Sequence, residues 1–189
     1  MWTTSTRRTL AGVAAAVVSG CLGLAMVQAH AANASPEAVA APAARSVPPA
    51  IEVPPGQVLT GDFHAAGVQV YRCAAGAWTF VEPAANLLGW TKRPGHVATT
   101  VHFRGPSWES TDDGSLVEAR VIASSPVPGS IPQLLLQATV NRGDGVFGHV
   151  SYVQRLATRG GAAPAGACTD GQTTGVRYRA EYRFFTPAS

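Results

Sequence analysis

Residues Val176-Arg177-Tyr178-Arg179-Ala180-Glu181-Tyr182-Arg183-Phe184 alternate apolar and charged without a break. Side chains on a strand point alternately to opposite faces. The stretch therefore presents Val, Tyr, Ala, Tyr and Phe on one face, with the arginines and the glutamate on the other. Wound into a helix, the same residues would scatter charge around the whole circumference. The segment reads as a half-exposed antiparallel strand, and its apolar face has to be covered by further strands.

The period of two recurs along the chain. Residues 67–73 carry the β-formers Val68, Val70 and Tyr71, and 77–81 follow after a short Ala-Gly turn, as in a hairpin. In 97–104, Val97, Thr99, Val101 and Phe103 fall on one side, and Ala98, Thr100, His102 and Arg104 on the other. A strand over 116–123 ends at Pro126 and Pro128. Strands over 134–140 and 146–156 are joined by Asn141-Arg142-Gly143-Asp144-Gly145, a hairpin-type connection. Only 83–88 offers a short helical turn, and the spread of Gly and Pro would break longer helices. The pattern predicts an all-β fold: an antiparallel sandwich or barrel-like single domain. Residues 157–175 read as a long Gly/Ala/Thr loop that needs a tether.

The N-terminus follows a different logic. Arg7 and Arg8 precede an uncharged apolar run over 10–27, and Ala29-His30-Ala31 offers a small-x-small cleavage site. Residues 1–31 read as an export signal. The run is Ala/Gly-rich and near the lower length limit for a membrane span, so cleavage is preferred over anchoring. Thr6-Arg7-Arg8-Thr9-Leu10 makes it a twin-arginine signal candidate, and Val18-Ser19-Gly20-Cys21 leaves open a lipoprotein anchored at Cys21. Residues 32–55, rich in Ala and Pro, read as a disordered leader, and 56–187 as the folded domain. Loss of Arg7 and Arg8 leaves 12 Lys/Arg against 11 Asp/Glu, so neither nucleic acid nor a membrane surface is an expected partner. After signal removal only Cys73 and Cys168 remain. In an exported chain they most simply form one disulfide tethering the 157–175 loop, with two free thiols as the alternative.

Usable chemistry is densest in 102–115, His102-Phe103-Arg104-Gly105-Pro106-Ser107-Trp108-Glu109-Ser110-Thr111-Asp112-Asp113-Gly114-Ser115. His102 is a candidate proton shuttle, Glu109 or Asp113 a candidate base, and Arg104 and Trp108 candidate binding residues. Against this, Asp113-Gly114 is an ordinary turn signal, Trp108 fits a core, and Glu109 has Arg104 as an ion-pair partner. No nucleophile elbow, dinucleotide fingerprint or phosphate loop is present, so no cofactor is expected. The remaining histidines at 64, 96 and 149 have no metal-ligand spacing. Trp78, Trp90 and Trp108, with Tyr71, Tyr152 and Tyr178, either build the core or line a carbohydrate-binding face.

Several strings occur in a recognisable order: Gly67-Val68-Gln69-Val70-Tyr71-Arg72-Cys73, Trp78, His102 through Glu109 with Asp113-Gly114-Ser115, and Ile131-Pro132 before Leu134-Leu135-Leu136. Gln154-Arg155-Leu156-Ala157-Thr158-Arg159-Gly160-Gly161, Pro164, Cys168 and Tyr178-Arg179-Ala180-Glu181-Tyr182 follow. The chain thereby resembles domain-of-unknown-function family 3455, found in secreted bacterial and fungal proteins. Gln133 departs from the family pattern, where a Trp is expected after Ile-Pro. The resemblance implies a secreted domain with the two cysteines paired, and no established activity. Some fungal relatives carry a malate dehydrogenase label, which the missing fingerprint and the all-β pattern argue against. Two readings can be told apart by sequence, a structural wall or stress protein being inseparable from the first. One is an exported, non-catalytic β-domain that binds a ligand or surface at the cell envelope or outside. The other is an extracellular hydrolase using the His/carboxylate residues of 102–115.

Overall fold

The computed structural model describes residues 46–92 and 96–188. The expected signal, its twin-arginine and Cys21 variants, and most of the leader lie outside the described residues. Eight strands follow in order: β1 (Gln57–Ala74), β2 (Ala77–Thr91), β3 (Val97–Phe103), β4 (Ser107–Ser110), β5 (Leu116–Ser125), β6 (Gln133–Arg142), β7 (Tyr152–Gly160) and β8 (Thr173–Pro187). Each pairs antiparallel with its neighbours in sequence, and β8 closes on β1 from Gln57↔Pro187 to Arg72↔Thr173. The all-β expectation resolves to a closed up-and-down barrel. Closure leaves no sheet edge open to pairing with another chain.

Alternation along each strand becomes inside and outside. On β8 the inward set is Tyr178, Ala180, Tyr182 and Phe184, all buried, and the arginines face out. Alanines at 65, 85, 98, 119 and 180 stand among the large core side chains, so the barrel can narrow without overpacking. Two glycines permit close strand approach. A Cβ at Gly89 would lie 2.1 Å from the Asp62 carbonyl oxygen, and one at Gly67 would lie 2.2 Å from that of Ala84. One end of the barrel is filled by Phe63, Phe147 and Phe184, with ring centroids 4.6–6.1 Å apart. Phe147 comes from the β6–β7 connection, where Asn141 Nδ2 donates to the carbonyls of Phe147 (2.7 Å) and Val150 (3.1 Å). Those bonds fold residues expected to start a strand at 146 into a turn, and β7 begins only at Tyr152.

Several boundaries differ from the sequence reading. The expected helical turn at 83–88 is strand, because β2 runs straight through Pro83. Pro83 is tolerated because the β2–β3 ladder stops at Ala85↔His102, so no partner on that side requires its missing N–H. β1 starts ten residues earlier than expected; Gly61 and Gly67 interrupt the local β signal that the ladders to β2 and β8 restore. The folded part reaches into the expected leader, 32–55: a 3-10 turn at Pro49–Ile51 seats Ile51 fully buried against Leu135 and Leu156. Gln154 Nε2 donates to the Ile51 carbonyl at 2.6 Å and locks the segment to the outside of β7.

Cys73 and Cys168 form the disulfide, with Cα atoms 5.9 Å apart and a sequence separation of 95. Constraining a loop of that length contributes about 4–5 kcal/mol on chain-entropy grounds. β7 extends to Gly160 and β8 starts at Thr173, so the tethered loop is shorter than expected. Asp170 Oδ1 accepts from the Gly76 amide at 3.0 Å, and the Cys73 amide donates to the Gln172 carbonyl at 2.8 Å, which pins the loop over the β1–β2 turn. Gln133 Oε1 accepts from the Ala157 amide at 3.0 Å, where the β7–β8 register shifts.

Candidate functional site

The barrel end opposite the phenylalanine plug contains a cavity of about 410 Å³. Its rim is exposed and includes Phe80, Arg104, Gly105, Val121 and Pro132. Its floor is buried and includes Gln69, His102, Trp108, Leu136 and Tyr182. The opening follows from the local sequence. β3 ends at Phe103, the Gly105–Pro106 peptide is cis, and the chain returns as the short β4. That return places Trp108 directly opposite His102 in the ladder, so both side chains enter the barrel. The two rings stack with centroids 4.4 Å apart and planes 3° from parallel. Tyr182 of β8 meets both edge-on, at 5.2 Å and 5.5 Å. Trp108 in turn contacts Phe184 at 5.8 Å, which ties the floor to the plug.

The ionisation state of His102 follows from its surroundings. Nδ1 lies 2.8 Å from the Ser107 carbonyl oxygen, which can only accept, so Nδ1 carries the proton and donates. Burial pushes the imidazole down to a pKa of about 3; the Ser107 bond opposes this shift and the Arg155 charge reinforces it. The ring is neutral near pH 7, and its Nε2 is a lone-pair acceptor. Burial raises the hydroxyl pKa values of Tyr71, Tyr178 and Tyr182, so all three remain protonated phenols. Tyr71 donates to the Gly161 carbonyl at 2.7 Å. By contrast, Gln69 Nε2, Trp108 Nε1 and the hydroxyls of Tyr178 and Tyr182 are buried without a well-formed hydrogen bond among the described residues, although Tyr178 lies beside Tyr182 and Gln69, and Tyr182 beside Arg155. Thr91, Thr100 and Thr158 also have buried, unpartnered hydroxyls. Each such group costs about 1–3 kcal/mol if nothing pairs with it. Gln69, Trp108 and Tyr182 are the ones that line the cavity.

The candidate residues of 102–115 separate in space. His102 and Trp108 reach the cavity floor. Arg104 stands exposed on the rim, paired with Glu82 at 3.2 Å rather than with Glu109. Glu109 lies outside the cavity lining and meets Arg142 at 3.5 Å. Asp113 caps a turn: Oδ1 accepts from the Ser115 amide (3.0 Å) and hydroxyl (2.6 Å), and Oδ2 accepts from the Val146 amide (3.0 Å). Partial burial raises the Asp113 pKa, but these bonds outweigh it and hold the carboxyl at about 2. His102, Glu109 and Asp113 therefore share no cleft. The other histidines stand apart: His64 and His149 are exposed, and His96 lies 4.0 Å from Asp112. The aromatics form no common outer face either, since Tyr71, Trp108 and Tyr178 are interior and Trp90 is exposed on β2.

Sequence reasoning missed Gln69, Tyr182 and Arg155 as cavity residues. Arg155 lies opposite Leu134 and Tyr182 in its two ladders, and both of those point inward, so it points inward too. Alternation along 152–158 separated the two faces but could not say which one the barrel would enclose.

The family described as "Protein of unknown function (DUF3455)" matches residues 54–186. No curated protein and no solved structure matches the chain.

Proposed function

The chain belongs to the DUF3455 family, and from the barrel's geometry we propose that this domain is a non-catalytic binding protein that holds one small amphiphilic molecule in the open end of the barrel. An eight-stranded barrel is just wide enough to be filled by side chains or to hold one small ligand. Here one end is filled by phenylalanines and the other retains about 410 Å³, within the range of small-molecule pockets. The observation that carries the reading is the set of poorly satisfied polar atoms on the floor: Trp108 Nε1, which has no partner among the described residues, with Gln69 Nε2 and the Tyr182 hydroxyl, which make no well-formed hydrogen bond. They converge in a cavity whose apolar wall includes Phe80, Val81, Pro83, Ile131 and Leu136, and a bound molecule would satisfy them.

Hydrolysis has less support. Glu109 and Asp113 are committed to an ion pair and a turn, and His102 has no nucleophile or carboxylate partner in the cavity. The disulfide fits action at the envelope or outside the cell, where the N-terminal signal would direct the chain. No helix of the described residues is long and apolar enough to cross a membrane.

The test is to purify the exported protein from its own host without detergent, denature it, and identify released small molecules by mass spectrometry. The expected result is one molecule released per chain from the wild type and none from Leu134→Trp, which fills the cavity. A host-purified protein that releases nothing, and that shows no saturable calorimetric binding to any of a graded series of aromatic and alkyl probes, would refute the reading.

A further inference from the structure

Resting on that reading of the cavity, we propose that its ligand is a carboxylate with an apolar body, and that the carboxylate pairs with Arg155. Two cations line the cavity, Arg104 and Arg155, and among the described residues no carboxylate does. Arg104 is neutralised by Glu82 at 3.2 Å. Among the described residues no carboxylate comes within 4.0 Å of Arg155. Arg155 is half-buried and lines the cavity near its exposed Pro132 rim, so it offers the cavity a positive charge with no carboxylate beside it. Nor is the group loosely held: its Nε donates to the Pro132 carbonyl at 3.0 Å. That bond orients the guanidinium, whose other N–H groups face the cavity beside the Tyr182 hydroxyl and are placed to meet an anion there.

The hydrogen-bond inventory of the floor points the same way. Trp108 Nε1 and Gln69 Nε2 can only donate, and the Tyr182 hydroxyl is available as a third donor. His102 Nε2 is the acceptor set against them, its Nδ1 being engaged by Ser107. A surplus of donors beside one cation complements an acceptor-rich anion. A single unpaired guanidinium suits one negative charge; a phosphate dianion would bring a second charge into the barrel without a partner. The apolar wall of Phe80, Val81, Ile131 and Leu136 supplies the surface for the ligand's body.

The experiment compares two acids, naphthalene-2-carboxylate and decanoate, with their methyl esters by calorimetry on the mature, disulfide-bonded protein at pH 7. The acids should bind at least tenfold more tightly than the esters. Arg155→Met should abolish that preference, and Arg155→Lys should keep part of it. Removing an uncompensated inward charge should not lower the melting temperature of Arg155→Met. If that variant fails to fold, the wild-type acid-to-ester ratio and the Arg155→Lys value carry the test. Equal binding of acids and esters in the wild type, or an acid preference that survives in Arg155→Met, would overturn the anion assignment and leave the cavity reading intact. Failure of all four probes to bind would overturn the anion assignment, and the cavity reading would fall with it only if the host-purified protein also releases no small molecule.

Discussion

His102 makes the domain acid-sensitive by an amount that can be worked out. In the unfolded chain its imidazole titrates near 6.5, whereas in the barrel burial holds it near 3. The folded state therefore resists protonation between those values while the unfolded state accepts it. Stability from this group is complete above about pH 6.5 and is lost as pH falls toward 3. A single site with these two values loses about 3 kcal/mol between pH 7 and pH 4, since each unit of pKa difference corresponds to about 1.4 kcal/mol. The comparison that isolates it is wild type against His102→Gln, by urea denaturation at pH 7, 5.5 and 4. The variant forfeits the stack on Trp108 and is expected to be less stable at pH 7. Every other titrating group cancels in the difference, so the gap should narrow by about 3 kcal/mol at pH 4. A gap independent of pH would refute the argument that a buried, neutral imidazole lies on the cavity floor. A direct check is the His102 imidazole resonance, which should remain in its neutral position down to about pH 4.

Two further perturbations test the frame around the site. Asp113→Ala removes the acceptor for the Ser115 amide and hydroxyl and for the Val146 amide, and should cost about 1–2 kcal/mol in urea unfolding. Because the folded carboxyl is held below its unfolded value, its ionic contribution is present above about pH 3.8 and lost as pH falls toward 2; at this exposed position it amounts to about 1 kcal/mol. Ile51→Ala should cost about 2–4 kcal/mol with little change in denaturant slope, because Ile51 is fully buried against Leu135 and Leu156. A loss below about 0.5 kcal/mol, the ordinary scale of an exposed-site change, would place residues 46–55 back with the leader.

How much of this was legible beforehand varied by residue. The alternation of 176–184 assigned the side chains of that part of β8 to their observed faces, because a charged face and an aromatic face leave one solution. β3 shows the opposite case. Its more apolar set, Val97, Thr99, Val101 and Phe103, faces outward, with Val97 67% exposed, while Ala98, Thr100 and His102 are enclosed. Hydropathy alone would favour the reverse. The register to β2 and the stack of His102 on Trp108 decide it, and both depend on residues outside the strand. Arg155 stayed hidden for the same reason: an arginine on an alternating strand is expected to face water until its ladder partners are known to be interior.

Local chemistry determined the elements that depend on near neighbours. The strand period, the Ala-Gly turn after β1, the Asp113-Gly114 turn and the pairing of Cys73 with Cys168 were all readable from short stretches or simple counts. Tertiary structure alone decided the closure of β1 on β8, which turned a sheet of either architecture into a barrel with one filled and one open end. It also decided that His102, Trp108, Tyr182 and Arg155, brought from four strands, share one cavity while Glu109 and Asp113, close to two of them in sequence, do not. The physical reason is that a strand's period separates its two faces but does not name the inner one. That choice is made by barrel closure and cross-strand register, which join residues more than a hundred positions apart.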